Sequence, residues 1–256
     1  MSKYETLQNV VDIYKNDKDV HRDIYFEFKN NVNEAVWLKS HRDYIVKNRH
    51  GYGNRAFHWM WKLLVDSMPN PFSFLEIGVF KGQTINLVSY LAQQQQKTGK
   101  VYGITPLDTT DGHPDVNYSH AIVQLYETFD VSMDNLQIVE GLSNDPDIQN
   151  FIRDVVAPTV KKFDMIYIDG GHSYEVAKSD MEFYIPLLTD GGYLIIDDCS
   201  THLDMPPDIC LSYTEPKFQC IGIPEVTRAV EEVVETNPKL KHQFAVGHNR
   251  VWKLKS

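Results

Sequence analysis

The sequence predicts an α/β protein with a mainly parallel seven-stranded sheet, a C-terminal antiparallel hairpin and a helical N-terminal extension. Three observations support this fold class. From residue 72 onward, short apolar runs alternate with amphipathic stretches, which is typical of strands separated by helices. The last two apolar runs are separated only by a turn, as in a hairpin. The first 70 residues have helical spacing and contain no convincing strand.

Residues 1–70 are predicted to form a helical cap or lid on the main domain, residues 71–256. A glycine-rich turn at 50–54 interrupts the helical pattern, and Asn54 is expected to cap the helix that follows. The same region could instead form a contact between copies of the chain. The spacing that indicates helix is seen at Leu7, Val10, Val11 and Tyr14, and again at Ala35, Leu38, Tyr44 and Ile45.

The main domain is predicted to contain five parallel strands joined by right-handed helical crossovers, with the sheet buried on both faces. The strand predictions are Phe74–Ile77, Val101–Ile104, Leu136–Val139, Met165–Ile168 and Tyr193–Ile196. The helix predictions are 82–97, 118–131, 146–157, 174–188 and 224–236. The closing hairpin is predicted to pair Gln243–Val246 with Val251–Leu254 across a turn at 247–250.

Composition narrows the function classes. The 256 residues include 25 Lys and Arg against 35 Asp and Glu, a formal charge of −10. This acidic balance argues against a nucleic-acid partner, which requires a basic surface. No apolar run reaches the roughly 18 residues of a membrane span. The polar first residues show no signal peptide, and three cysteines without metal-finger spacing suggest a reduced, cytoplasmic protein.

A glycine loop follows the first predicted strand. That strand ends in Glu76-Ile77-Gly78, and Gly82 precedes the next helix. A ligand that crosses the carboxyl end of a parallel sheet approaches the backbone closely, so side chains are excluded there. Free N–H groups at the helix start can meet a carboxylate or phosphate. The spacing is not G-x-G-x-x-G, which makes a dinucleotide site less favoured.

Three aspartates follow the fourth and fifth predicted strands. Asp169 follows one, and Asp197 and Asp198 close the other. If these strands are neighbours, their ends lie about 5 Å apart. Three carboxylates there would suit a hard cation such as Mg²⁺ or Mn²⁺, with open positions for water or substrate. Adjacent strand residues point to opposite faces, which leaves open whether one of the pair merely caps a turn.

The segment Leu75-Glu76-Ile77-Gly78-Val79-Phe80-Lys81-Gly82-Gln83-Thr84 resembles the first motif of class I S-adenosylmethionine-dependent methyltransferases, which have a Rossmann-like fold. The resemblance implies that this loop holds the methionine moiety of S-adenosylmethionine. It further implies that Gly141 and Ser143, after the third strand, contact the adenine end. At the loop itself, the resemblance implies that the cofactor-binding residues are Glu76, Gly78, Gly82 and Thr84.

The ribose end departs from that family. Its second strand usually ends in an acidic residue that binds the ribose hydroxyls, whereas Thr105 stands at this place here. One neutral hydrogen bond is weaker than a bidentate carboxylate contact. Asp108 could reach back and substitute. Whether Thr105 or Asp108 takes the ribose is left open by the sequence.

Asp169, the pair Asp197-Asp198 and His172 together resemble the metal-dependent sugar O-methyltransferases of the macrocin and mycinamicin type, and related cephalosporin-hydroxylase-like proteins. The resemblance covers about residues 72–200. It implies that the three aspartates bind Mg²⁺, that Asp169 also borders the cofactor, and that His172 is the base. The second acidic position is often Glu in that family, so Asp197 has a shorter reach.

These observations favour a metal-dependent O-methyltransferase whose acceptor is a sugar, a glycan or another small hydroxylated molecule. A catechol-type methyltransferase, a non-catalytic metal-binding protein and a metal-dependent hydroxylase remain alternatives. His202 and Asp204 could add ligands for the hydroxylase. Tyr52, Arg55 and Trp59 either line the acceptor pocket or belong to the core. The sequence does not identify the acceptor, the role of residues 200–222 or the oligomeric state.

Overall fold

A computed structural model describes residues 4–107, 118–199 and 222–255, and it confirms the predicted fold class. One seven-stranded sheet has the order β3-β2-β1-β4-β5-β7-β6. The first five strands run parallel, and β7 runs antiparallel to both β5 and β6. The strands are β1 (Phe72–Ile77), β2 (Gly99–Thr105), β3 (Leu136–Glu140), β4 (Phe163–Ile168), β5 (Leu188–Ile196), β6 (Leu240–Val246) and β7 (Asn249–Leu254).

Helices cover both faces of the sheet. They are α1 (Leu7–Ile13), α2 (Lys18–Glu34), α3 (Val36–Asn48), α4 (Arg55–Ser67), α5 (Gln83–Gln94), α6 (Ser119–Thr128), α7 (Pro146–Phe151), α8 (Ala157–Val160), α9 (Tyr174–Tyr184) and α10 (Pro224–Ala229). The predicted helix 146–157 is divided, because a π-helical turn at Ile152–Val156 separates α7 from α8. Among the described helices, none is both long and apolar enough to cross a membrane.

The N-terminal helices pack directly on the sheet. The ring of Trp61, on α4, lies 5.7 Å from the ring of Phe74 and 4.9 Å from that of Tyr167, in β1 and β4. Asn54 occupies the cap position of α4 as predicted, but its side chain makes no capping hydrogen bond. The side chain is buried, and its Oδ1 has no partner among the described residues.

The sheet register aligns the ends of its central strands. Ile77 of β1 pairs with Ile168 of β4, which pairs with Ile196 of β5. After β1, the next two strands, β2 and β3, are added on one side of β1, and the chain then crosses to the other side to form β4. The β1–β4 boundary is therefore a topological switch point. In open α/β sheets, ligands bind in the crevice outside the carboxyl ends of the strands at such a point.

The hairpin begins at this same edge. β7 starts at Asn249, and its Arg250 pairs with Ile196. The predicted four-residue turn is therefore too long, because Gly247 and His248 alone separate β6 from β7. Gly247 has φ +59°, a conformation that suits a tight hairpin turn. The short turn brings His248 to the carboxyl end of β5.

Candidate active site

The glycine loop after β1 lies against the end of β4. Gly78 has φ +91°, and a Cβ atom added there would lie 1.9 Å from the carbonyl oxygen of Asp169. The N–H of Gly78 donates to Ile104 O at 3.0 Å. Gly82, with φ +88°, forms the N-cap of α5. The loop thus requires glycine at Gly78 on two grounds, close approach and backbone conformation.

Glu76 is a buried carboxyl group beneath this loop. It accepts a backbone hydrogen bond from Ile85, but its Oε2 has no partner among the described residues. Burial raises the pKa of Glu76 well above its usual value. A buried oxygen without a donor is costly, so this position suits a ligand that brings one. Thr84 is also buried, in the first turn of α5.

At the end of β2, the hydroxyl of Thr105 is engaged by an aromatic residue. Thr105 Oγ1 lies 2.9 Å from the hydroxyl oxygen of Tyr118, and both side chains are buried. The Tyr118 ring packs edge-on against Phe80 of the glycine loop, at 5.3 Å. Tyr118 carried no signal in the sequence beyond its place before α6. The alternative ribose ligand, Asp108, lies outside the described residues, as do His202 and Asp204.

Of the two positions predicted for the adenine end, Ser143 is held from α9. Ser143 Oγ donates to Asp180 Oδ2 at 2.9 Å, and Asp180 lies beside Gly170 at the end of β4. Burial raises the pKa of Asp180 to about 7. Gly141 has φ +150°, and a Cβ there would lie 2.6 Å from the side chain of Ile148. Local packing therefore accounts for the glycine at position 141.

The acidic cluster consists of two overlapping groups. Asp169, His172 and Asp198 each offer a ligand atom, and these atoms lie within 4.8 Å of one another. Within this group, His172 Nε2 is 3.1 Å from Asp198 Oδ2. The second group, under the same distance limit, joins Asp197 and Asp198 to His248. The structure therefore brings His172 to the predicted metal position, and Asp198 belongs to both groups.

Both oxygens of the Asp197 carboxylate are engaged by protein groups. The Tyr167 hydroxyl donates to Asp197 Oδ2 at 3.0 Å and also lies 3.1 Å from Asp169 Oδ2. Asn249 Nδ2 donates to Asp197 Oδ1 at 2.7 Å, and His248 Nδ1 lies at the same distance from that oxygen. Asp198 also has both oxygens in contact: its Oδ1 lies 3.1 Å from His248 Nδ1, and its Oδ2 lies 3.1 Å from Nε2 of the half-exposed His172.

The charges in this cluster are not balanced evenly. Burial raises the pKa of Asp169 well above its usual value, and the neighbouring Asp197, Asp198 and Glu76 add to the shift. Burial would also raise the pKa of Asp197, but the charge of His248 lowers it. Burial alone would lower the pKa of His248, yet the two aspartates raise it well above normal. The side near Asp169 therefore retains uncompensated acidic groups.

Three residues that contact the aspartates were not predicted from the sequence: Tyr167, His248 and Asn249. Tyr167 stands in an apolar strand, where it reads as core. His248 and Asn249 stand at the hairpin, and only the register of β7 beside β5 brings them to the aspartates. A two-residue turn at 247–248 places His248 at the strand ends, and the Gly-His pair is the local signal for such a turn.

The N-terminal region borders the site on one side. The Tyr52 ring stacks on Phe80 of the glycine loop at 5.7 Å with 15° between the planes. The Phe57 ring contacts that of His248 at 5.2 Å. Arg55, by contrast, pairs with Asp43 on α3. A small recess at the ends of β4 and β5 is lined by Ile168, Asp169, Gly170, Gly171, His172, Ala177, Asp197 and Val226.

Residues 75–199 match a protein-family model described as a methyltransferase domain. Uncharacterized protein R132 of Acanthamoeba polyphaga mimivirus is 26% identical over 218 residues, which cover 78% of this chain and 90% of that protein.

Two solved structures are similar in fold. CalS11, a TDP-rhamnose 3′-O-methyltransferase of calicheamicin biosynthesis, has a TM-score of 0.52 at 15% identity, over 96% of this chain and 91% of its own. The MycE methyltransferase of the mycinamycin pathway, in complex with Mg, SAH and mycinamycin VI, has a TM-score of 0.50 at 15% identity. That match covers 82% of this chain and 52% of MycE, so this chain matches about half of the larger protein.

Proposed function

We propose that this protein is an S-adenosylmethionine-dependent and divalent-metal-dependent O-methyltransferase, because residues 75–199 match a methyltransferase-domain model and the sheet has the order β3-β2-β1-β4-β5-β7-β6. The observation that carries the proposal is the convergence of Asp169, His172 and Asp198 beside the glycine loop. A cation site and a cofactor site thus share one edge of the sheet. The proposed acceptor is a hydroxyl of a sugar, a glycan or another small hydroxylated molecule.

The glycine loop fits the cofactor. Gly78 and Gly82 leave the backbone uncovered at the start of α5. The buried Glu76 Oε2 could accept a hydrogen bond from an ammonium or hydroxyl group of the cofactor. When bound, S-adenosylmethionine supplies an electrophilic methyl group on its sulfonium. The loop of this chain would bind the amino-acid end and hold it at the β1–β4 switch point.

The acidic cluster fits a divalent cation. Asp169 and Asp198 present oxygen ligands, and clustered carboxylates without a counterion repel one another. Asp197, held by Tyr167, Asn249 and His248, would add the third acidic group close by. A bound Mg²⁺ or Mn²⁺ would stabilise the developing alkoxide and orient the acceptor hydroxyl. The Mg in the MycE complex supports this assignment by analogy.

His172 is the proposed proton acceptor. Its side chain is half exposed and lines the recess, and Asp198 lies 3.1 Å from its Nε2. A neutral imidazole accepts a proton near physiological pH. Asp198 would then orient the ring and stabilise the imidazolium, while Tyr167 fixes Asp169 and Asp197 in place.

The preference for a sugar over an aromatic diol rests on the relatives. CalS11 is named for a nucleotide-linked rhamnose, and MycE was captured with mycinamycin VI. A catechol-type acceptor would use the same metal chemistry. Turnover assays with vicinal-diol sugars and with catechols, both in the presence of Mg²⁺, separate the two classes.

Calorimetry with S-adenosylhomocysteine, with and without Mg²⁺, tests the proposal most cheaply. We expect binding of S-adenosylhomocysteine by the wild type. We also expect Mg²⁺ or Mn²⁺ binding that Asp169→Asn weakens by at least tenfold, while the matched control Asp190→Asn, an exposed acid of β5, leaves it unchanged. Absence of S-adenosylhomocysteine binding under both conditions would reject a methyltransferase.

A second candidate function is a non-catalytic metal-binding protein. One observation favours it: the hydroxyl of Thr105 is buried against Tyr118, where methyltransferases of this type usually present an acid to the ribose. Such a protein would bind Mn²⁺ without binding S-adenosylhomocysteine. The calorimetric experiment therefore distinguishes the two functions directly.

A further inference from the structure

We infer that Arg42, on α3, is a positioning residue for the cofactor loop, because it fastens the turn of residues 50–54 to Gln83, the first residue of α5. This inference rests on the proposed function, which assigns the glycine loop and the start of α5 to S-adenosylmethionine. It goes beyond that function by making the N-terminal helical region a working part of the cofactor site.

The Arg42 guanidinium is buried and joins two separate segments. Nη1 donates to Gln83 Oε1 at 3.0 Å, and Nη2 donates to the carbonyl oxygen of Gly53 at 2.6 Å. A guanidinium presents its donors in a rigid planar fork, so the two acceptors are held at a fixed separation. Only about 3% of the residue is exposed, which leaves little freedom for rearrangement.

Two glycines of the turn enclose the Gln83 side chain. A Cβ added to Gly51 would lie 2.8 Å from Gln83 Cβ and 3.0 Å from its Oε1. A Cβ added to Gly53, which has φ +93°, would lie 3.2 Å from Gln83 Nε2. Larger residues at these positions would displace Gln83 from Arg42. The close approach of the turn to α5 is therefore built into the sequence.

The residue before Arg42 makes a second attachment to α5. His41 Nε2 lies 3.0 Å from Asn86 Oδ1, and both side chains are fully buried. Gln83 and Asn86 are three residues apart and therefore lie on the same face of α5. Arg42 and His41 thus contact neighbouring positions in the first turn of that helix.

The turn itself also contacts the glycine loop. The His50 ring hydrogen-bonds to the backbone of Lys81, and the Tyr52 ring stacks on Phe80. The segment Phe80–Gln83, together with Asn86, is therefore held from the N-terminal region at several points. Loosening Arg42 should allow the start of α5, and with it the N–H groups proposed to meet the cofactor, to shift.

The test compares S-adenosylhomocysteine affinity in Arg42→Lys and in the matched control Arg55→Lys. Lysine keeps the charge but cannot hold Gln83 Oε1 and Gly53 O in the same fixed geometry. Arg55 belongs to the same helical region and pairs with Asp43. We expect the dissociation constant to rise about tenfold for Arg42→Lys and less than twofold for Arg55→Lys, with Mn²⁺ affinity unchanged in both.

Gly51→Ala provides an independent route to the same result if Arg42→Lys does not fold. It pushes Gln83 without touching α3, so it should weaken S-adenosylhomocysteine binding to a similar extent. The double variant should bind S-adenosylhomocysteine little more weakly than either single variant, because the two substitutions disrupt the same contact between Arg42 and Gln83. Folded variants that bind within twofold of the wild type would overturn the inference and leave the proposed function intact. A wild type that binds no S-adenosylhomocysteine would overturn both.

Discussion

His248 Nδ1 lies 2.7 Å from Asp197 Oδ1, a contact that ties the hairpin turn to the end of β5. Both residues are buried, and the aspartates raise the pKa of His248 well above its usual value although burial alone would lower it, which favours a charged ring. The contact thus gives Asp197 a basic partner within the protein. No such partner is seen for Asp169 among the described residues, where the Tyr167 hydroxyl is the neighbouring donor. The same His248 Nδ1 lies 3.1 Å from Asp198 Oδ1, whereas Asp198 Oδ2 faces His172, so we propose Asp169 and Asp198 Oδ2 as the principal positions for a metal ion.

Replacing His248 should destabilise the fold. His248→Gln removes the positive charge and leaves Asp197 buried beside Asp198. Removing one partner of a buried ion pair typically costs about 3–5 kcal/mol. The double variant Asp197→Asn/His248→Gln should recover a large part of the loss, since no charge then lacks its partner. Urea denaturation in EDTA measures these values. Equal stability of His248→Gln and wild type would show that the pair contributes nothing.

Much of the fold could be predicted from the sequence because its signals are local. The runs Val101–Ile104, Met165–Ile168 and Tyr193–Ile196 contain no charged residue, as is typical of strands buried on both faces. Gly78 and Gly82 marked the loop, and the acids at strand ends marked the cluster. The prediction for the hairpin turn was wrong by two residues, because the pairing of Arg250 with Ile196 depends on the neighbouring strand.

The rest of the site depends on contacts between distant segments. Arg42 and Gln83 are 41 positions apart, and His248 is 51 positions from Asp197. Neither pair forms a motif, and each residue has an ordinary local interpretation. Tyr118 likewise reads as a helix-start aromatic, although its hydroxyl meets Thr105. Such partners become visible only when strand order and register are known.

Gly78→Ala should abolish cofactor binding. The new Cβ would lie 1.9 Å from Asp169 O, and alanine disfavours φ +91°. The loop must therefore move away from β4. Gly191→Ala is a suitable control, because Gly191 also has positive φ, +79°, but lies in the first half of β5. Calorimetry with S-adenosylhomocysteine should show no binding for Gly78→Ala and near-normal binding for the control. Retained affinity in a folded Gly78→Ala would argue against this loop as the cofactor site.

His172→Ala should lower turnover by roughly 10²–10⁴-fold while leaving S-adenosylhomocysteine affinity within about twofold, because a general base acts on the acceptor proton. His120→Ala, a change at an exposed histidine of α6, serves as the control. The measurement is methyl transfer from labelled S-adenosylmethionine to a diol acceptor at saturating Mg²⁺. Turnover like that of the wild type would remove His172 from the mechanism.

Stability should fall as the solution is acidified, in part because of His41 and His58. Burial lowers the pKa of His41 to about 4 and that of His58 well below its usual 6.5. The unfolded chain therefore binds more protons below pH 6.5, so this stability is complete above that pH and is lost as the pH falls toward 4. For His41 alone the effect approaches about 3 kcal/mol.

The raised pKa of Asp180, about 7, acts in the opposite direction between its usual value and pH 7, so the comparison must be made between variants. Urea unfolding at pH 7.5 and pH 5 should show that the free energy of unfolding falls less between these pH values for His41→Gln than for the wild type. The control His120→Gln should retain the wild-type loss. Identical losses in all three proteins would contradict a buried neutral His41.

Crystals grown with S-adenosylhomocysteine and Mn²⁺, measured for anomalous scattering, test the central claim most directly. The account predicts one strong anomalous peak within coordination distance of Asp169 and Asp198, next to S-adenosylhomocysteine density along the Gly78–Gly82 loop. A well-ordered Asp169 and Asp198 without an anomalous peak between them, or S-adenosylhomocysteine density absent from the loop, would contradict it.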